Sequence, residues 1–255
     1  MATKSTRLQP IEAPPPAGNG VRANPLQNAI LLSLSAKESK VVLDALEWVD
    51  LPTHTVLHEA GQDIEFGYFI NGGLASILNV MADGKTVEVG LAGKEGFIGV
   101  PLLVGFRTSP SQVIMQVGGD GFRIRAQDLP DTLGGSSKLE KRLQRYSQEL
   151  MMQAAQIAAC NRLHEVSHRL ARWLLMSQDR LGGSDVPLTQ QFLAHMLGTR
   201  RASVTVAARS LQKAGWITYK RGKVKIVDRR QLEDAACECY KKMNTQSRKW
   251  ESETR

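Results

Sequence analysis

The sequence has no apolar run long enough to form a membrane-spanning helix. Residues 1–20 also lack the apolar core of a secretory signal. The three cysteines are an odd number without the spacing of a disulfide framework, which is typical of a reducing compartment. These absences predict a cytoplasmic protein that has no membrane partner.

Patterns that would carry catalysis are also missing. No serine, histidine and aspartate set and no carboxylate pair stands out on a recognisable framework. The segment Asp83–Thr86 reads Asp-Gly-Lys-Thr, but the glycine-rich run of a phosphate loop does not precede it, so it predicts a hairpin turn. We therefore expect that the protein is not an enzyme.

The candidate metal ligands are few and poorly spaced. His164 and His168 lie four residues apart, so one helix could present both, but no third ligand is visible beside them. Cys237 and Cys239 are separated by one residue, whereas a CxxC motif has two. Three cysteines are also too few for the four ligands of a typical iron–sulfur cluster. The sequence predicts no metal site and identifies no cofactor.

The net positive charge of the chain lies at its C-terminal end. Residues 186–255 contain 15 Lys and Arg against 6 Asp and Glu, whereas the other 185 residues contain 18 against 19. The net charge of +8 therefore lies in the C-terminal part. This asymmetry is typical of a nucleic-acid-binding domain joined to a near-neutral domain.

The N-terminal half is predicted to be mainly β-structure. Residues 1–27 hold five of the ten prolines and are expected to form a disordered tail. Apolar residues from Asn28 to Leu51 recur at helical spacing, which predicts short helices. From residue 52 to about 129, short runs of β-forming residues alternate with glycine-containing turns, as in a barrel or roll. Residues 28–137 are therefore predicted to form a β-roll sensor domain.

Residues 138–165 are predicted to form one long helix. Its apolar positions step by four and three residues, which is the period of a coiled-coil seam. The seam comprises Leu139, Leu143, Tyr146, Leu150, Gln153, Ile157 and Cys160. Such a seam favours a parallel homodimer, and the alternative is the core helix of a monomer. Across a dimer the two copies of Cys160 would approach, so this residue is either redox-active or a buried inert thiol.

After a hinge at residues 163–167, residues 166–240 have the pattern of a winged helix-turn-helix domain, and residues 241–255 are expected to be a flexible tail. One helix begins after Thr189 and ends at Gly198, and a second runs from about Arg200 to Gly215. Two β-forming segments, 217–220 and 223–227, then flank an Arg-Gly hairpin signal. The hairpin is predicted to be a wing whose Lys and Arg side chains contact phosphates.

This order of β-roll, long helix and winged helix-turn-helix resembles the Crp/Fnr family of bacterial transcription regulators. Tyr68–Gly73 is similar to the strand-and-glycine motif of the family's roll, and Gly96–Gly99 is similar to its Gly-Asp-Phe-Ile-Gly segment. Val166–Leu175 resembles the first helix of its DNA-binding domain, and Thr189–Ile217 resembles its helix-turn-helix without a gap. The resemblance implies an α+β fold with a cyclic-nucleotide-binding-like jelly roll, a dimerisation helix and a C-terminal winged helix-turn-helix.

The resemblance does not extend to the family's cyclic AMP site. Members that bind cyclic AMP follow the Gly-Phe-Ile-Gly segment with a Glu for the ribose and then with Arg-Ser for the phosphate. Here residues 100–103 read Val-Pro-Leu-Leu, Arg107 is displaced, and Ala154 and Ala155 stand where hydroxyl groups would contact the base. A phosphate buried without a positioned cation is unfavourable. The sequence thus argues against cyclic AMP and leaves the effector unidentified.

The resemblance also assigns the DNA contacts. The family commonly reads DNA with Arg-Glu and an Arg four residues later, and Arg201, Ala202 and Val206 stand at these positions. Arg201 can pair with guanine, whereas Ala202 and Val206 can contact thymine methyl groups. The predicted set also covers the helix starts, the outer helix face and the wing. It comprises Thr189, Gln190, Arg200, Arg201, Ala202, Ser203, Thr205, Val206, Arg209, Lys213, Lys220, Arg221 and Lys223.

Together these features predict a homodimer that binds double-stranded DNA at a palindromic promoter site, with RNA polymerase as a further candidate partner. Three alternatives stay open: a constitutive DNA binder that needs no effector, a redox-responsive sensor acting through Cys160, and a sensing module whose partner is a protein. The sequence does not distinguish an activator from a repressor.

Overall fold

The computed structural model describes residues 25–183, 185–220 and 222–253. Most of the predicted N-terminal tail and the wing residue Arg221 lie outside the described residues. The chain divides into two compact units. One contains residues 1–84 and 91–148, and the other contains residues 85–90 and 149–255.

Eight strands form two four-stranded sheets in the N-terminal half. The strands are β1 (Glu47–Leu51), β2 (Val56–His58), β3 (Phe66–Ile70), β4 (Leu74–Val80), β5 (Thr86–Ala92), β6 (Phe97–Ile98), β7 (Ser111–Val117) and β8 (Gly119–Arg125). Their order is β1-β8-β3-β6 in one sheet and β2-β7-β4-β5 in the other. Buried side chains from both sheets, among them Tyr68, Ile98 and Met115, form one core. This arrangement confirms the predicted β-roll.

Short helices precede and follow these strands, and one lies between β6 and β7. They are α1 (Ala29–Leu32), α2 (Ala36–Asp44), α3 (Leu129–Gly134) and a 3-10 helix at Val100–Val104. The helical prediction was wrong for the end of the 28–51 segment, because residues 47–51 form β1 and pair with β8. There Val49 and Leu51 are buried while Asp50 is exposed, so the local period is two and not 3.6.

The long helix, α4, runs from Ser137 to Leu163 and confirms the predicted helix. The predicted seam, however, is largely covered by the same chain, since Leu139, Leu143, Ile157 and Cys160 are each at most 2% exposed. Side chains this buried offer a second chain little accessible surface. Their assignment to a dimer seam stays a prediction, as does the homodimer itself.

The second unit contains the remaining helices and a small sheet. They are α5 (Val166–Leu181), β9 (Asp185–Pro187), α6 (Gln190–Met196), α7 (Arg201–Lys213), β10 (Ile217–Lys220), β11 (Lys223–Ile226), α8 (Arg229–Ala235) and α9 (Glu238–Glu253). The antiparallel sheet has the order β10-β11-β9. In the described part of the chain, no helix combines the length and apolarity needed to cross a membrane.

Helix α9 occupies most of the segment that the sequence assigns to a flexible tail. Tyr240 and Met243 on this helix are buried. The Tyr240 hydroxyl donates to Asp179 Oδ2 (2.9 Å) and accepts from Arg229 Nη2 (2.6 Å), and Arg229 forms an ion pair with Asp179 (2.7 Å). The sequence assigns residues 241–255 to a flexible tail, whereas residues 238–253 form a helix whose first part is held by buried side chains and this polar network.

Candidate nucleic-acid interface

The first helix of the helix-turn-helix is α6, and both of its ends are fixed. The Thr189 hydroxyl caps it by accepting from the Phe192 backbone N–H (3.2 Å). Gly198, at φ 55°, supplies the left-handed turn toward α7. Buried Arg169 on α5 donates through Nη2 to the Leu197 carbonyl at the end of α6. Sequence reasoning missed this positioning role, because helical periodicity does not reveal which charged residue points inward.

Helix α7 buries one face and exposes the other. Val204, Ala207, Ala208 and Leu211 are buried on the inner face. At its end the Trp216 N–H donates to the Leu211 carbonyl (3.1 Å) and Gly215 has φ 80°, so the helix stops in a Schellman motif. The predicted helix, its core face and its glycine stop are confirmed. The opposite face is consequently held outward in a fixed orientation.

The exposed face of α7 carries most of the predicted recognition residues. Arg201, Ala202, Val206, Arg209 and Lys213 are all exposed, and Val206 has 67% of its surface accessible. Arg200 is exposed at the N-cap position, and Ser203 is half-buried in the first turn. The result is a surface with cations at both ends and apolar groups between them. Such a surface fits phosphates at its edges and base edges and methyl groups at its centre.

Two predicted DNA-contacting residues contact each other in this structure. The Thr205 hydroxyl donates to Gln190 Oε1 (2.7 Å), and the Arg201 carbonyl lies 3.0 Å from the same hydroxyl. This bond joins α6 to α7 and directs the Gln190 amide nitrogen away from Thr205. Gln190 is thus the better candidate of the two for an outward contact, while Thr205 fixes the angle between the helices.

The wing is the antiparallel hairpin of β10 and β11, in which Lys220 pairs with Lys223. Val224 and Ile226 point inward, whereas Lys220, Lys223 and Lys225 are exposed. This alternation is the period of a half-buried strand and places the lysines on the solvent side. The predicted hairpin is confirmed, and β9 adds a third strand that the sequence analysis did not identify.

Tyr219 connects the wing to the segment before α6. Its hydroxyl donates to the Leu188 carbonyl (2.9 Å), next to the start of α6. Burial raises the pKa of Tyr219, and the nearby charge of Arg201 opposes part of that rise. Tyr219 therefore remains protonated at neutral pH, and its hydroxyl holds the wing to the Leu188 carbonyl. Alternating hydrophobicity marked it as a strand residue but could not show this neighbour.

Comparison with known proteins places this domain in a defined class. Residues 168–235 match the model of the Crp-like helix-turn-helix domain. A comparison with curated protein sequences found no match. The matched residues include α6, α7 and the wing, so the candidate interface lies wholly within the recognised domain.

Solved structures extend the likeness to most of the chain. FixK2 from Bradyrhizobium japonicum has a TM-score of 0.65 and 13% identity, and the match covers 75% of this chain and 98% of that one. The c-di-GMP-responsive global regulator CLP from Xanthomonas campestris has a TM-score of 0.63 and 17% identity, with coverages of 75% and 99%. A transcriptional regulator of the Crp/Fnr family from Thermus thermophilus has a TM-score of 0.61 and 19% identity, with coverages of 74% and 98%.

The fold and the candidate interface thus define a DNA-binding domain of the winged helix-turn-helix class on a β-roll protein. More particularly, the chain has the fold of the Crp/Fnr transcriptional regulators and carries a Crp-like helix-turn-helix domain.

Proposed function

We propose that this chain is a sequence-specific regulator of transcription that binds a palindromic DNA site in the cytoplasm as a homodimer. Each α7 enters a major groove, and the two half-sites lie about one helical turn apart. The wing lysines contact the flanking phosphates. The observation that carries this proposal is the outer face of α7, where Arg201, Arg209 and Lys213 are exposed on a helix whose other face is locked into the core.

The test is the selection of DNA sequences by the purified full-length chain from a random duplex library. We expect a two-fold symmetric motif with a G·C pair at the same position of each half-site, because Arg201 is exposed at the start of α7 and its guanidinium can pair with guanine. An Arg201→Ala, Arg209→Ala double variant is expected to lose the motif and retain weak general binding. If the wild type selects an asymmetric motif, or if the double variant selects the same motif as the wild type, the exposed face of α7 does not read the DNA sequence as proposed.

The homodimer is proposed to form through the face of α4 that the chain itself leaves open. Met151 is 61% exposed on this face, and Ala155 and Ala158 follow it at helical spacing and are exposed. Side chains this small allow two helices to approach closely. A Met151→Glu variant is expected to be monomeric in sedimentation equilibrium. An Arg145→Glu variant, altered at an exposed position on a different side of α4, should remain dimeric.

The proposed regulator does not respond to cyclic AMP. Arg107 is exposed and lies after the 3-10 helix, which supports the expectation that it holds no buried phosphate. We expect the affinity for the selected site to be unchanged by cyclic AMP. A large increase in affinity with cyclic AMP would show that the roll holds the nucleotide with residues other than those of the familiar site.

A further inference from the structure

Four side chains with metal-binding atoms converge where α4 meets the start of α9. The ligand atoms of Cys160, His164, Cys237 and Cys239 all lie within 4.8 Å of one another. The Cys160 and Cys237 sulfurs are 3.4 Å apart, and the Cys239 sulfur is 3.6 Å from Nδ1 of His164. All three cysteines are buried and His164 is half-buried. Residues from two distant parts of the sequence therefore form one compact donor set.

The backbone gives each half of this set a fixed geometry. Cys160 is in the last turn of α4, and the His164 N–H donates to the Cys160 carbonyl (3.1 Å), so the two side chains share one helix face. Cys237 precedes α9 and Cys239 lies in its first turn. A Cys-x-Cys pair beside an i, i+4 Cys/His pair supplies four donors from two rigid segments.

Neighbouring groups orient the donors from outside the set. Nε2 of His164 lies 3.0 Å from Glu238 Oε2, so the carboxylate accepts from Nε2 and leaves Nδ1 directed at the sulfurs. The Gln156 side-chain amide donates to the Cys239 sulfur (3.0 Å). A histidine fixed by a carboxylate and a sulfur that accepts an N–H bond are both common around protein metal ions.

Two buried arginines, Arg169 and Arg172, lie near the set. Arg172 is 2% exposed, and Arg169, also buried, interacts with the charges of Cys160 and Cys237. Three thiolates, a neutral imidazole and a divalent ion would carry one net negative charge. Two buried arginines can balance that charge.

We propose that Cys160, His164, Cys237 and Cys239 bind a single thiophilic divalent metal ion, with Zn²⁺ the best fit. Tetrahedral donors at Zn–S of about 2.3 Å and Zn–N of about 2.0–2.1 Å lie roughly 3.5–3.8 Å apart, close to the two separations above. An iron–sulfur cluster places its ligands on different irons and therefore farther apart. The ion joins the end of α4 to the start of α9.

Co²⁺ titration of the reduced full-length protein tests the site directly. We expect one Co²⁺ per chain, the intense visible bands of a tetrahedral ion, and a near-ultraviolet thiolate-to-cobalt band. Equimolar Zn²⁺ should remove these bands. Cys239→Ser and His164→Gln are expected to weaken Co²⁺ binding at least tenfold and to change the bands. His168→Gln is the matched control, since His168 is exposed and lies one turn beyond His164.

Circular dichroism of each variant without metal shows whether the variant is folded. A lost Co²⁺ spectrum in a folded variant then reports loss of metal binding. The proposal is overturned if folded, reduced wild-type protein gives no tetrahedral Co²⁺ spectrum, or if the spectrum is the same in Cys239→Ser. It is also overturned if the anaerobically purified protein contains several irons per chain. A Cys160–Cys237 disulfide that forms in protein unable to bind Co²⁺ after reduction would assign the cluster to redox chemistry instead. None of these readouts depends on DNA binding, so failure of the metal-site proposal can be distinguished from failure of the proposed DNA-binding function.

Discussion

Replacement of Arg201 by alanine is the most direct perturbation of the candidate interface. Arg201 is exposed at the first position of α7, whose inner face and glycine stop do not involve its side chain. Alanine is the best helix former, so the substitution should not destabilise α7. Any loss of DNA affinity can then be attributed to the missing guanidinium group.

The expected loss follows from the energy of one proposed guanine contact in each half-site. A bidentate arginine–guanine pair discriminates by about 1–3 kcal/mol. Two independent half-sites in a symmetric dimer therefore give about 2–6 kcal/mol in total. Affinity for DNA of unrelated sequence should fall far less, because the phosphate contacts of the wing remain.

The assay is fluorescence anisotropy with the selected site and with four variants of it that differ at the predicted G·C pair. Wild-type protein should prefer guanine, and Arg201→Ala should bind all four with similar affinity. Lys213→Ala is the control on the same exposed face, and it should lower every affinity by a similar factor. If Arg201→Ala retains the guanine preference, then α7 does not lie in the groove as we infer.

Three further predictions concern the wing, the C-terminal helix and the metal site. Lys223→Ala should weaken binding to all sequences alike and lower the slope of log K against log salt by about one per half-site, as measured by salt titration. Burial and Asp179 raise the pKa of Tyr240 to about 12, so its contribution to stability should be complete below pH 10 and lost as the pH rises toward 12. Urea unfolding on either side of this range should show a smaller alkaline loss for Tyr240→Phe. Because Zn²⁺ binds the thiolate forms of the three cysteines, its binding near pH 7 should release protons in a weakly buffered titration and weaken as the pH falls.

Local signals were sufficient for the helix-turn-helix. The Thr189 cap, the Gly198 turn and the Gly215 stop each fix the backbone within a few residues, and the structure has all three. The β-roll was recognised for the same reason, since turn residues separate its short strands. These features depend on neighbours in the sequence, and periodicity reports such neighbours well.

Features that depend on distant residues were lost or misread. The four-three spacing of α4 correctly identified one apolar face. Spacing does not show whether that face packs against a second chain or against other residues of the same chain. The sequence did not reveal the polar network of Tyr240, because its partners Asp179 and Arg229 lie 61 and 11 residues away. For the same reason the sequence did not bring Cys237 and Cys239 together with Cys160 and His164, which are more than 70 residues distant.

The position of the proposed metal ion predicts that it is coupled to DNA binding. Cys160 and His164 lie at the break between α4 and α5, where the sequence predicts a hinge, and α9 is held to α5 and α8 by Arg229, Asp179 and Tyr240. An ion that ties α9 to α4 must therefore also restrict the helices that carry α7. If Zn²⁺ changes the affinity for the selected DNA site by some factor, DNA must change the affinity for Zn²⁺ by the same factor.

Both factors can be measured with the same protein, by anisotropy with and without Zn²⁺ and by competition with a chelating dye with and without DNA. If Zn²⁺ and DNA each raise the affinity for the other by the same factor, the ion is an activating effector. If each lowers the affinity for the other, the ion is an inhibitor. If neither affinity changes, the ion has only a structural role and the coupling is refuted.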